Sequence, residues 1–187
     1  MKLLRDLAPV ILIVACASPC MADHCPEESI TPGPADTVMC GIDVANAHME
    51  DLIQNFGSPT SSHASPCDGC PSNSGANSHA WKLGTATLTA STEFYTDAFG
   101  KKIEPVLVMK LQGDNRAKNL RTGRGLRLGD SAATVKRLYG TVFRTAPVNS
   151  ERLPGSMMTY CFSDESELSV GIENGRVTSI LVFISEE

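Results

Sequence analysis

The stretch Gly125-Leu-Arg-Leu-Gly-Asp-Ser-Ala-Ala-Thr-Val-Lys-Arg-Leu-Tyr-Gly140 reads as two alternating apolar residues, a polar cap and a short helix closed by glycine. Asp130 or Ser131 can accept from the free N–H groups that open a helix. Val135, Leu138 and Tyr139 then form one stripe, and Gly140 suits the stop. The same plan stands upstream in Gly41-Ile-Asp-Val-Ala-Asn-Ala-His-Met-Glu-Asp-Leu-Ile-Gln-Asn-Phe-Gly57, with one extra residue. There Met49, Leu52, Ile53 and Phe56 recur at i, i+3, i+4 and i+7, the spacing of one buried helical stripe, and Gly57 suits a left-handed cap.

The segments after the two helices also correspond, because both copies continue through a polar loop into strand-like sequence. In the second, Leu168, Val170 and Ile172 alternate with Ser169, Gly171 and Glu173. Asn174-Gly175 supplies a hairpin turn, and residues 176–184 are rich in Val, Ile and Phe. A further strand is expected near residues 157–162. In the first copy, residues 80–90 and 103–111 read as strands, with residues 93–99 a weaker candidate. Gly84 shifts the alternation from Trp81 and Leu83 to Ala86 and Leu88, which predicts a bulge. The expected class is α+β, built as two tandem helix-plus-antiparallel-sheet repeats with the sheet packed on helices on one face. The expected division is a signal peptide over 1–22, a linker over 23–40, repeat 1 over 41–113, a basic linker over 114–124, and repeat 2 over 125–187. Sheets of this kind leave their other face available to a partner.

Composition narrows the function classes. With 42% hydrophobic and 20% charged residues in 187, the chain is neither collagenous, coiled coil nor wholly disordered. A formal net charge of -5 lacks the basic excess that neutralises phosphates, so nucleic acid is not an expected partner. Charge is uneven along the chain: Asp23, Glu27, Glu28, Asp36, Asp43, Glu50, Asp51 and Asp68 precede His79 without a Lys or Arg between Asp23 and His79. Arg116, Lys118, Arg121, Arg124 and Arg127 then crowd one stretch, opposed only by Asp114. This stretch reads as a solvated linker, as a patch steering an acidic partner, or as the intramolecular counterpart of the acidic front.

The N-terminus predicts export. Lys2 and Arg5 precede an apolar core over residues 7–15 that is too short to span a bilayer, and no later segment is apolar long enough. Cleavage after Ala17 or Ala22 fits signal peptidase. Ile13-Val14-Ala15-Cys16 fits lipoprotein processing at 15/16, which makes Cys16 a lipidation candidate. The expected locations are periplasmic or extracellular, with an outer-membrane anchor if Cys16 is lipidated. Cysteine parity leans toward the earlier sites. Cleavage after Ala22 leaves Cys25, Cys40, Cys67, Cys70 and Cys161, an odd set, whereas the others also retain Cys20. All five are disulfide candidates.

A short helix introduced by Gly-Leu-Arg-Leu-Gly-Asp-Ser and closed by Leu-Tyr-Gly, followed by a meander ending in Asn-Gly-Arg-Val-Thr-Ser-Ile, resembles exported bacterial domains of the beta-lactamase-inhibitory-protein type. The small outer-membrane-assembly lipoprotein shares that fold. The inhibitory family has two such units in tandem, and the resemblance spans residues 41–184. It implies a concave sheet surface that grips another protein, with Trp81, Tyr95 and Tyr160 as candidate partner-binding aromatics. It also implies a disulfide role for Cys161, although no Cys stands in the second copy's loop where that family places the partner.

Catalytic readings are weaker. Cys67-Asp-Gly-Cys70 has redox spacing but sits in a Ser-, Pro-, Gly- and Asn-rich loop without a following apolar helix, so it reads as a staple. His63, Cys67, Cys70 and His79 could offer zinc ligands, but only one CxxC pair is present, and no metal or cofactor is expected. Gly129-Asp130-Ser131 imitates an esterase nucleophile, yet no His follows residue 79 and a helix cap explains all three residues. Residues 123–129 lack Walker spacing, and Asp164, Glu165 and Glu167 read as a solvated turn. The expectation is therefore an exported, non-enzymatic protein-binding module, in one form an inhibitor. The alternatives are an envelope-assembly lipoprotein and a thiol redox or metal-binding protein.

Overall fold

The computed structural model describes residues 30–31, 33–65, 74–114, 119–142, 144–149, 154–163 and 165–185. Trp81, Leu88, Leu111, Ile180, Val170 and Met158 stand side by side in cross-strand register, forming one apolar row. All are buried, none more than 5% exposed. A second row runs parallel to it through His79, Ala90, Met109, Val182, Leu168 and Tyr160. Strict alternation within each strand puts these side chains on one face, and burying each large apolar one contributes roughly 1.5–3 kcal/mol.

The strands in chain order are β1 (Val38–Met39), β2 (Ile42–Asp43), β3 (Ser61–Ser65), β4 (Gly75–Leu83), β5 (Ala86–Thr96), β6 (Lys102–Ile103), β7 (Val106–Gly113), β8 (Arg144–Asn149), β9 (Pro154–Cys161), β10 (Ser166–Glu173) and β11 (Arg176–Ile184). β1 and β2 form a separate hairpin. The rest make one 9-stranded antiparallel sheet in the order β3-β4-β5-β7-β11-β10-β9-β8, with β6 paired to β5. Helix α1 (Met49–Phe56) and helix α2 (Ala132–Tyr139) lie on the apolar face. Phe56 of α1 meets Trp81 at 6.2 Å between ring centroids, and Tyr139 of α2 meets Tyr160 at 5.3 Å.

This architecture corrects the expected class. The described chain is predominantly antiparallel sheet with two helices, and is not a pair of helix-plus-sheet repeats. The physical reason is the seam where Leu111 pairs with Ile180 and Met109 with Val182. Separate repeats would leave the backbone donors and acceptors of β7 and β11 as open edges, and pairing them satisfies both while extending one apolar face.

Local expectations fared unevenly. The hairpin at Asn174-Gly175 forms as read, with φ of 50° and 72° at its two residues and Glu173 opposite Arg176. These values fit the type I′ turn that Asn-Gly favours. Gly84 is not a bulge. Leu83 pairs with Ala86, so Gly84-Thr85 is a two-residue hairpin turn, and positive φ at Gly84 alone fits type II′. Register shifts fall instead at Ser91/Thr92 and Gly171/Ile172. Residues 61–65, read as loop, form the edge strand β3. The α1 stripe is narrower than expected, because Leu52 is buried while Ile53 is 42% exposed.

Both helices begin as their sequences require. Ser131 Oγ accepts from the Thr134 N–H at 3.2 Å, and Asp51 reaches back to accept from the His48 N–H at 2.8 Å. The basic stretch is partly knitted into the core rather than simply solvated. Arg124 donates through its guanidinium to the carbonyls of Leu138 and Pro34 and lies over the Tyr139 and Phe162 rings. Its backbone N–H donates to buried Asp36, which also accepts from the Tyr139 hydroxyl at 2.6 Å. The acidic front thus meets the basic stretch inside one molecule. Among the described residues no helix is long and apolar enough to cross a membrane.

Candidate functional site

The sheet face opposite the helices is built from the alternate residues of the same strands. One row runs Ser78, Ser91, Val108, Phe183 and Glu167, and the next runs Ala80, Thr89, Lys110, Leu181 and Ser169. Small hydroxyl and methyl side chains dominate β4 and β5, while Val108, Leu181 and Phe183 place an apolar centre on the β7–β11 seam. Phe183 is 37% exposed. Lys110 and Glu167 lie beside this centre, giving it charges of both signs. Toward β9 the face closes, since Thr159 and Ser169 are buried and hydrogen-bond each other at 3.0 Å.

At the end of β5 the chain makes a tight turn into β6. Asp97 Oδ1 accepts from the N–H groups of Phe99 and Lys101, at 2.8 and 2.9 Å. The Asp97 N–H donates to the Lys101 carbonyl, and Gly100, at φ 80°, donates to the Asp97 carbonyl. These bonds fix the turn, and Phe99 stands at its tip, 94% exposed. Tyr95, on the same strand and on the uncovered face, is 44% exposed.

The three aromatics expected to grip a partner therefore separate. Tyr95 is available. Trp81 and Tyr160 are core residues at 2% and 0% exposure, which corrects their assignment to a contact surface. Trp81 is held there by packing under α1 and by its indole N–H donating to the Gly57 carbonyl at 2.9 Å. Tyr160 packs under α2, and its hydroxyl has no hydrogen-bond partner among the described residues. Alternation puts both rings on the helix-covered face. Phe99, Phe183, Leu181 and Val108 were missed because apolar residues are ordinarily assigned to cores. Only Asp97-Ala-Phe-Gly100, a turn signature around a phenylalanine, marks the tip in advance.

Cys40 is a free thiol, which corrects its place among the disulfide candidates. It sits in the β1–β2 turn at φ 54°, and burial pushes its thiol up to about 12 despite a backbone hydrogen bond from Arg121. Cys161 is disulfide-bonded and fully buried. Cys16, Cys25, Cys67 and Cys70 lie outside the described residues. Of the expected zinc candidates, His63 pairs with Ser78 and His79 with Ser62, which places the two imidazoles on opposite sheet faces. Among the described residues no three His, Cys, Asp or Glu side chains are grouped to hold a metal. Ser131 is engaged as a helix cap, and Asp130 accepts from the Arg127 N–H at 2.9 Å.

A separate polar network lies at the β3 side of the apolar face. Glu104, between β6 and β7, accepts from Asn77, Thr92 and His79 at Oε1 and from Lys102 at Oε2. Burial alone would raise its carboxyl, but the bonds from Lys102, Asn77, Thr92 and His79 bring it down to about 2.

No protein-family model matches the chain, and no curated protein matches it. Among solved structures it is similar to the crystal structure of a "putative beta-lactamase inhibitor protein" from Streptococcus mutans. The two share 16% identity at a TM-score of 0.29, over 75% of this chain and 84% of that one. Likeness at this level fixes neither the target nor the activity of this chain.

Proposed function

We propose that this chain is an exported protein-binding module whose contact surface joins the Phe99 turn to the uncovered face of β4, β5, β7 and β11. The observation that carries the reading is Phe99, a large apolar side chain presented almost wholly to water on a turn fixed by hydrogen bonds. Such exposure contributes nothing to folding, whereas a rigid aromatic entering a pocket is the commonest kind of binding anchor. Fixing the turn beforehand reduces the ordering cost of association. Tyr95 extends the same surface, and the Val108–Leu181–Phe183 centre offers a second apolar contact within a polar surround, the usual anatomy of an interface. Inhibition of the partner would follow wherever the Phe99 turn fills a functional pocket.

The test is paired capture from an exported-protein fraction of the native host. Wild type, Phe99→Ala and Phe183→Asp are immobilised alongside Arg137→Glu, a change on the exposed side of α2. The reading requires a protein held by wild type and Arg137→Glu but released by the first two variants. Identical retention by all four would exclude it.

A further inference from the structure

Ser62 on edge strand β3 stands directly opposite His79 on β4, and its Oγ lies 2.9 Å from His79 Nδ1. Across the ring, His79 Nε2 faces Glu104 Oε1 at 3.1 Å and Thr92 Oγ1 at 3.4 Å. The donors and acceptors here fix the tautomer. Glu104 stays ionised and has no proton to give, while Thr92 spends its hydroxyl proton on Glu104 Oε1 at 2.8 Å. Nε2 therefore meets only acceptors and carries the ring proton. In the neutral imidazole, Nδ1 is left with its lone pair directed at the Ser62 hydroxyl.

The remaining contacts make this geometry stable. Asn77 and Lys102 hold the Glu104 carboxylate at 2.8 and 2.7 Å, and its backbone carbonyl accepts from the Met49 N–H at the start of α1. His79 is 8% exposed, whereas Ser62 is exposed on the outermost strand. A shielded base thus backs a hydroxyl that solvent-borne molecules can reach.

We propose that Ser62 is an activated serine nucleophile, with His79 as its general base and Glu104 as the carboxylate positioning that base, toward acyl esters and phosphonyl electrophiles. The logic is that of serine–histidine–carboxylate triads, with the ring presented through Nδ1 instead of Nε2. With an ester, Ser62 Oγ bonds to the carbonyl carbon while its proton passes to His79 Nδ1. The carbon–alkoxy bond then breaks, and the alcohol leaves with that proton, giving an acyl-serine. With a fluorophosphonate, the Oγ–phosphorus bond forms, the phosphorus–fluorine bond breaks, and fluoride departs as the proton moves to Nδ1. Neither Phe99 nor the uncovered face takes part, so this inference stands or falls apart from partner binding.

The experiment treats the folded, full-length chain with an alkyl fluorophosphonate and follows intact mass, peptide maps and labelling rate. Heat-unfolded wild type serves as the control for incidental reactivity. The expected result is one adduct on Ser62, present in folded and absent from unfolded protein, and lost in Ser62→Ala. Folded His79→Gln should label at least about tenfold more slowly, and Glu104→Gln should also slow, with partial recovery in Glu104→Asp. No adduct on folded wild type overturns the proposal. So does an adduct that survives Ser62→Ala, equal labelling of unfolded protein, or wild-type labelling of folded His79→Gln. Should the His79 variant fail to fold, the exposed Ser62→Ala change and the unfolded control still decide the matter.

Discussion

Asp97 Oδ1 accepts a hydrogen bond from the backbone N–H of Phe99 at 2.8 Å, so the residue that carries the most exposed aromatic ring is held in place by a neighbour two positions earlier. Asp97→Ala should therefore weaken partner binding without removing any contacting atom, because the turn must then be ordered on association. The expected loss is smaller than that of Phe99→Ala, about 1 kcal/mol. Titration of a captured partner against both variants measures it, and equal affinity for Asp97→Ala and wild type would show that the turn needs no support.

Burial separates two aromatics that sequence placed together. Trp81→Ala should cost about 3–5 kcal/mol by opening a large cavity beneath Phe56, whereas Tyr95→Ala should change stability by less than about 0.5 kcal/mol. Urea unfolding of both variants reads the contrast directly.

Glu104 gives the fold an acid limit. Its folded carboxyl lies at about 2, below the ordinary carboxylate value, so unfolded chain binds protons over a range where folded chain does not. The resulting stability is present above about pH 4.5 and is lost as pH falls toward 2. Comparing melting of wild type and Glu104→Gln from pH 6 to pH 2 should show the wild-type advantage shrinking across that window. A constant difference would mean that Glu104 does not titrate as its hydrogen bonds require.

The free thiol of Cys40 should resist alkylation at pH 8 in folded protein and react on unfolding, because burial keeps it protonated. It also reverses the parity argument. With Cys40 set aside, a chain cut after Ala22 retains Cys25, Cys67, Cys70 and Cys161, an even set, whereas the earlier sites add Cys20. We propose on this count that cleavage falls after Ala22, giving a mature chain that begins at Asp23. An intact mass with lipid on Cys16 would reject that start.

The reach of the sequence depended on how local each cause was. Asn174-Gly175 and Ser131 act within a few residues, and both were read as they stand. Gly84 was ambiguous because a lone glycine that shifts the alternation marks either a bulge or a type II′ turn. The pairing of Leu111 with Ile180 was hidden by their distance along the chain, and with it the single continuous sheet. Ser62 and His79 meet only through the register of a polar edge strand that carries no apolar pattern. Trp81 was assigned to the wrong face and Phe99 was passed over, since composition assigns aromatics no face.

The most direct test of the binding account is the affinity of a partner captured by wild type, measured against Phe99→Ala at matched thermal stability. The account predicts a loss of at least tenfold, about 1.4 kcal/mol or more, with the melting temperature unchanged. Unchanged affinity for Phe99→Ala would contradict it, whatever else that partner touched.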